Sequence, residues 1–183
     1  VILSRSANIE QSIERVMLGK TLNAGQICLA PDYVLVPEAL LETVISTAEK
    51  VTGAMYPAML HNPEYTAIIN ERHYQRLTGY LQEAAQRGVR VISINPANED
   101  FGAHADRRKI PPTLIINPPD DLLVMQEELF GPLLPIRTYK HFDETIRYIN
   151  AHPRPLAAYY FGADKQEEQA VLSQTTSGGV CIN

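Results

Sequence analysis

The chain has 183 residues, 45% of them hydrophobic and 20% charged, with a formal net charge of −5. That is an ordinary globular composition, long enough for one substantial core and therefore one domain, and without the basic, aromatic-interleaved stretches that mark a nucleic-acid partner. No apolar run reaches the roughly 18 to 20 residues of a membrane span, the N-terminus lacks a signal-peptide pattern, and two cysteines are too few for a disulfide framework, so free thiols in a reducing cytoplasm are expected.

In chain order, Asn8 is placed to cap a helix whose Ile9, Ile13, Val16 and Met17 share one face, with Gly19 ending it. The loop Lys20-Thr21-Leu22-Asn23-Ala24-Gly25-Gln26-Ile27-Cys28 then leads into a strand at residues 33–36. Pro37 suits the first turn of the next helix, where its missing N–H costs nothing, and Leu40, Leu41, Val44, Ile45, Ala48 and Val51 form that helix's apolar stripe. After an irregular stretch at 56–63, residues 71–87 read as a long amphipathic helix with Leu77, Tyr80, Leu81 and Ala84 inward, stopped by Gly88. A strand at 89–94, a polar excursion at 95–109 and short apolar strands at 114–116 and 133–139 come next. Between the last two, residues 125–132 have neither period and are expected to form a structured loop. A helix at 143–151, a strand at 157–161, a helix at 165–173 and a strand at 180–182 complete the chain. Strands that are continuous apolar runs, alternating with helices, predict an α/β fold: a mostly parallel sheet with helices on both faces. There is no internal repeat.

The chain opens on an apolar run without an initiator Met, Val1-Ile2-Leu3, and stops on what looks like a strand, Val180-Cys181-Ile182-Asn183. Natural termini usually trail off in polar residues, so residues 1–183 read as a segment cut from a longer protein, an intact small protein being the alternative.

Two places invite chemistry. A lone cysteine is most often a small buried hydrophobe, and Ile27 and Leu29 beside Cys28 favour that reading. Its position at the end of a Gly- and Asn-containing loop entering a strand favours a reacting group instead, although nothing adjacent in sequence supplies the positive charge or base that activates a thiolate. Cys181 lies in strand-like apolar sequence and is expected to be packing. His61, His73, His104, His141 and His152 show no metal-ligand spacing, so no metal site is expected. The second place is Glu127-Glu128-Leu129-Phe130-Gly131-Pro132. It fits a solvated loop with Phe130 tucked into the core, or a carboxylate that binds a ribose diol or acts as a general base, and spacing does not choose between them.

Read together, the two stretches resemble the aldehyde dehydrogenase superfamily. Asn23-Ala24-Gly25-Gln26-Ile27-Cys28 is similar to its N-x-G-Q-x-C nucleophile motif, and Glu127-Glu128-Leu129-Phe130-Gly131-Pro132, with Glu128 100 residues beyond Cys28, to its E-E-[IL]-F-G-P motif. Residues 112–114, 155–159 and 177–183 match the family pattern too, and 70–77 with the T-S-G-G-V-x-[IV]-N ending look most like the class 3 branch, which takes fatty and aromatic aldehydes. The resemblance implies that Cys28 attacks an aldehyde such as coniferyl aldehyde or a fatty aldehyde, giving a thiohemiacetal, then a thioester and the acid. It further implies that NAD or NADP accepts the hydride, that Glu128 holds the nicotinamide-side ribose, and that Phe130 packs by the nicotinamide. Residues 1–183 would then be the nucleophile-bearing catalytic domain, truncated at both ends. The dinucleotide-binding domain, the general-base Glu and the second oxyanion donor, an Asn, fall outside it. On that reading the segment is inactive alone and its parent is a homodimer or homotetramer. A cysteine hydrolase or acyltransferase with a histidine base, and a non-catalytic interaction domain, remain as alternatives.

Overall fold

The computed structural model describes residues 1–183. Seven strands, β1 (Ile2–Leu3), β2 (Val34–Pro37), β3 (Arg90–Ser93), β4 (Thr113–Ile116), β5 (Leu133–Tyr139), β6 (Ala157–Phe161) and β7 (Gly179–Ile182), form one sheet in the order β3-β4-β5-β2-β1-β6-β7. Only the β3–β4 pair is antiparallel; every other pair is parallel. The helices are α1 (Ile9–Thr21), α2 (Leu41–Met55), α3 (Glu71–Gln86), the single turn α4 (Leu123–Gln126), α5 (Phe142–Asn150) and α6 (Lys165–Gln174). The expected α/β architecture is therefore present.

Period-2 alternation divides the sheet between two layers of helix. Val34 and Val36 of β2, with Leu114 and Ile116 of β4, point to one face and pack with Ile13, Val16 and Met17 of α1 and Val44, Ile45 and Ala48 of α2. On the other face, Ile115 and Leu133 meet Tyr74, Leu77, Tyr80 and Ala84 of α3. Ile2, Leu35 and Tyr160 on that face meet Ile146, Ile149 and Val171 of α5 and α6. Each such Leu, Ile or Val contributes roughly 1.5–3 kcal/mol through burial. Strands β2 and β4 are buried at every position, which is why their sequence runs apolar without alternation.

Several local expectations are corrected. Gly19 does not end α1, which continues to Thr21; an added Cβ at Gly19 would lie 3.2 Å from the Pro31 ring, so glycine serves packing there. Pro37 closes β2 rather than opening α2, and a 3-10 turn over Glu38–Leu40 intervenes. The stretch expected to be loop from 125 begins inside α4. β1, too short for a periodicity signal, sits centrally between β2 and β6. Cys181 is exposed rather than packed, because β7 is an edge strand whose residues 179–181 are uncovered. No helix is long and apolar enough to cross a membrane.

Candidate active site

The turn that carries Cys28 is built by the C-terminal end of α1 and the left-handed loop beyond it. Asn23, Ala24 and Gly25 take φ of 51°, 52° and 70°, three left-handed residues in succession that reverse the chain past the helix end. Gln26 fixes the reversal. Its Nε2 donates to the carbonyls of Asn23 (3.0 Å) and Ala67 (3.1 Å), and its Oε1 accepts the Ile69 N–H (2.9 Å), so the side chain ties this loop to the segment preceding α3. A turn closed by Ala30 N–H donating to Ile27 O (3.0 Å) then presents Cys28 to solvent. The Tyr159 hydroxyl, on β6, donates to the Leu29 carbonyl at 2.7 Å and holds the far side of that turn. Burial raises the Tyr159 pKa. The Cys28 N–H meets no acceptor in the chain and is free to donate to a bound oxygen.

The second motif packs directly on the first. A Cβ at Gly25 would stand 2.8 Å from the Gly131 carbonyl carbon and closer still to its oxygen, and one at Gly131 would stand 2.5 Å from the Leu77 side chain. Both motifs need glycine because the chain packs too closely there to admit a side chain. Leu129 is fully buried and anchors the loop, while Glu128 and Phe130 on either side are exposed. Of the two readings left open for this stretch, the one that tucks Phe130 into the core does not hold: with φ of 45° Phe130 is exposed and Leu129 takes the core position.

The two carboxylates have different surroundings. Glu127 accepts a hydrogen bond from the Tyr80 hydroxyl, which itself accepts from Arg76 (2.9 Å); burial and the bond to Glu127 raise the Tyr80 pKa, against the opposing pull of Arg76. Arg76 also donates to the carbonyls of Glu128 (3.3 Å) and Leu129. The Glu128 carboxylate makes no hydrogen bond or ion pair in the chain and stays open to a ligand.

A cleft of about 500 Å³ joins these groups, lined by Cys28, Asp32, Tyr33, Glu128, Phe130, His152, Leu156, Tyr159 and Thr176 among others. It lies at the amino ends of β2, β5, β6 and β7, because the loop that carries Cys28 is a helix-to-strand connection. That reverses the usual placement of ligands beyond the carboxyl ends of strands in open α/β sheets, and so the appeal to that rule for Cys28 does not hold. Of the five histidines His152 lines the cleft, with Nδ1 against the Tyr148 carbonyl (2.7 Å) and its ring on that of Tyr148. No group of three or more His, Cys, Asp or Glu side chains is disposed to hold a metal ion.

All three residues singled out from the sequence, Cys28, Glu128 and Phe130, border the one cleft. Sequence reasoning missed Asp32, Tyr159, Arg76 and Lys20. Tyr159 and Arg76 lie in stretches that match the family pattern but were given no role, and Lys20 left a signal as a charge continuing the apolar stripe of Ile13, Val16 and Met17; it is 1% exposed, and burial lowers its pKa to about 8 against the opposing pull of Asp32.

The sequence profile of the aldehyde dehydrogenase family matches residues 1–183. The chain is 54% identical over 183 residues to the probable coniferyl aldehyde dehydrogenase of Caulobacter vibrioides, covering 100% of this chain and 38% of that protein. It is likewise 54% identical over 183 residues to the coniferyl aldehyde dehydrogenase of a Pseudomonas species, with the same two coverages. The substrate-bound state of Staphylococcus aureus AldH superposes with a TM-score of 0.87 at 38% identity, over 100% of this chain and 38% of that one. The chain therefore spans 38% of the length of these relatives.

Proposed function

Since the chain belongs to the aldehyde dehydrogenase family, we propose that residues 1–183 are the nucleophile-bearing catalytic part of an enzyme that oxidises an aldehyde to its carboxylic acid with a nicotinamide cofactor. The observation that carries this reading is the shared cleft: an exposed thiol with a free backbone N–H beside it, facing an unpartnered carboxylate and an outward aromatic.

In this reading the Cys28 thiolate adds to the aldehyde carbon, and the Cys28 N–H donates to the oxygen as it becomes an oxyanion. Such a donor supplies roughly 3 kcal/mol in the transition state. A nicotinamide cofactor, when held by Glu128 and Phe130, would supply the acceptor for the hydride that leaves the thiohemiacetal carbon on Cys28, giving a thioester. Water then attacks the thioester carbon, the acid departs, and the thiolate is regenerated; splitting the oxidation this way replaces one difficult step with two easier ones. Glu128 fits a ribose diol, since its free carboxylate can accept a hydrogen bond from each of the two hydroxyls, and Phe130 offers an aromatic face for the nicotinamide. NAD and NADP both fit these contacts, because the residues that meet the adenosine ribose belong to the dinucleotide-binding domain. An aromatic substrate such as coniferyl aldehyde is favoured by the names of the two relatives at 54% identity. A nucleophilic thiol must stay reduced, which favours the cytoplasm.

We also propose that this chain does not turn over alone, and that it does so joined to a dinucleotide-binding domain, in a homodimer or homotetramer. The test is aldehyde-dependent reduction of NAD or NADP by the longer protein that carries these residues. Cys28→Ala is expected to abolish it, and an unchanged rate refutes the assignment. Ester turnover by residues 1–183 alone, lost in His152→Ala and indifferent to nicotinamide, would instead identify a cysteine hydrolase.

A further inference from the structure

The Glu128 carboxylate has no partner of its own in the chain, so its place in the cleft depends on the backbone that carries it. That backbone is held at the peptide group of Leu129. On the carbonyl side the Arg76 guanidinium donates to Leu129 O and, at 3.3 Å, to Glu128 O. On the amide side the Leu129 N–H donates to Asp32 Oδ1 at 3.1 Å. Asp32 lies four residues beyond Cys28, between the nucleophile turn and β2, and lines the same cleft.

From this geometry we infer that Asp32 is a positioning residue: its carboxylate clamps the Leu129 amide and so fixes the Glu128 segment relative to Cys28. The inference rests on the reading of Glu128 as the ribose-binding group. A carboxylate is a stronger acceptor for an amide than a neutral oxygen, and the clamp spans 97 residues of sequence. It joins the segment that places the attacking sulfur to the segment that places the cofactor. Lys20 Nζ has no ion pair or hydrogen bond within the chain, and Asp32 is the anion whose field acts on it. The same Asp32 charge, after burial, raises the pKa of Tyr33 beside it. Close contact of Gly25 with Gly131 sets how near the two loops come, and the hydrogen bond to Leu129 adds a directional tie between them.

The experiment has two parts. In residues 1–183 without cofactor, amide hydrogen exchange is measured for Asp32→Ala and Asp32→Asn. Loss of the acceptor is expected to speed exchange at Leu129 by at least about tenfold relative to core amides such as Leu114, while Asn, which keeps an oxygen there, holds exchange within about threefold of the parent. In the longer protein, the dissociation constant of the reduced nicotinamide nucleotide is read by its fluorescence. Asp32→Ala is expected to raise it about tenfold, with Asp32→Asn restoring most of the affinity and the alkylation rate of Cys28 unchanged. Glu128→Gln is measured alongside. If it weakens nucleotide binding and Asp32→Ala changes neither binding nor Leu129 exchange, the positioning role is overturned and the Glu128 reading survives. If Glu128→Gln leaves binding unchanged, the Glu128 reading fails and the positioning role falls with it.

Discussion

Replacing Gly25 by Ala perturbs the one place where the two motifs touch through backbone alone. Two costs arise. The residue sits at φ of 70°, where an L side chain costs about 1–2 kcal/mol. Ala24 next to it already occupies φ of 52°, so strain of that kind is tolerated in this loop. The new Cβ would also stand 2.8 Å from the Gly131 carbonyl carbon and 3.0 Å from the Lys20 carbonyl oxygen, backbone atoms that a rotamer change cannot move aside. The loops must part by several tenths of an ångström, and overpacking of this sort costs typically about 1–3 kcal/mol. Together the loss is about 2–5 kcal/mol, a large share of the roughly 5–15 kcal/mol that stabilises an ordinary domain. Because the chain has no tryptophan, urea unfolding followed by circular dichroism is the assay. Gly79→Ala is the control, since Gly79 lies in α3 with nothing within 4 Å of a Cβ there; it should gain about 0.5–1 kcal/mol. Activity of the longer protein should fall in Gly25→Ala by more than the lost folded fraction, because displacing a reacting group by about 1 Å costs on the order of a hundredfold. A Gly25→Ala protein with the parental urea midpoint and parental activity would refute the packing argument.

Two further predictions concern residues that hold the site. Lys20 keeps its proton to about pH 8 when folded, against 10.5 for the ordinary side chain. The unfolded chain therefore binds more protons between those values, and stability rises with pH across the window, by roughly 3 kcal/mol in all. Lys20→Met removes that slope: its unfolding free energy relative to the parent should be most favourable below about pH 8 and should shrink toward about pH 10, and a pH-independent difference would contradict the burial of the ammonium. Tyr159→Phe deletes the bond to the Leu29 carbonyl and should cost about 1 kcal/mol while changing the alkylation rate of Cys28 relative to Cys181; unchanged stability and unchanged selectivity would show that the hydroxyl does not hold the turn.

Local pattern made much of this fold legible. Asn8 does cap α1, accepting the Gln11 N–H at 3.2 Å, and β5 and β6 have the bounds that their apolar runs suggested. The two motifs stood out through resemblance, not through spacing, which left Glu127 and Glu128 equivalent. Structure separates their surroundings, since Tyr80 of α3 takes up Glu127, a contact across 47 residues that no local period records. The same holds for Asp32 and Leu129, and for Gln26 with the 67–69 segment: each is a polar contact between distant loops. β1 is invisible for a different reason, as two residues carry no period and its identity as a strand comes from Leu35 and Tyr160 on either side. Cys181 misled because its sequence describes a strand, whereas exposure depends on that strand's lying at the sheet edge.

The most direct test of the central claim is to mix the longer protein with aldehyde and nicotinamide nucleotide, quench in acid within the first turnovers, and map the added mass by peptide mass spectrometry. An acyl group on the peptide containing Cys28, absent without nucleotide and absent in Cys28→Ala, is the predicted result. Aldehyde oxidation that proceeds with Cys28 unmodified throughout, or acylation found on Cys181 instead, would contradict the account.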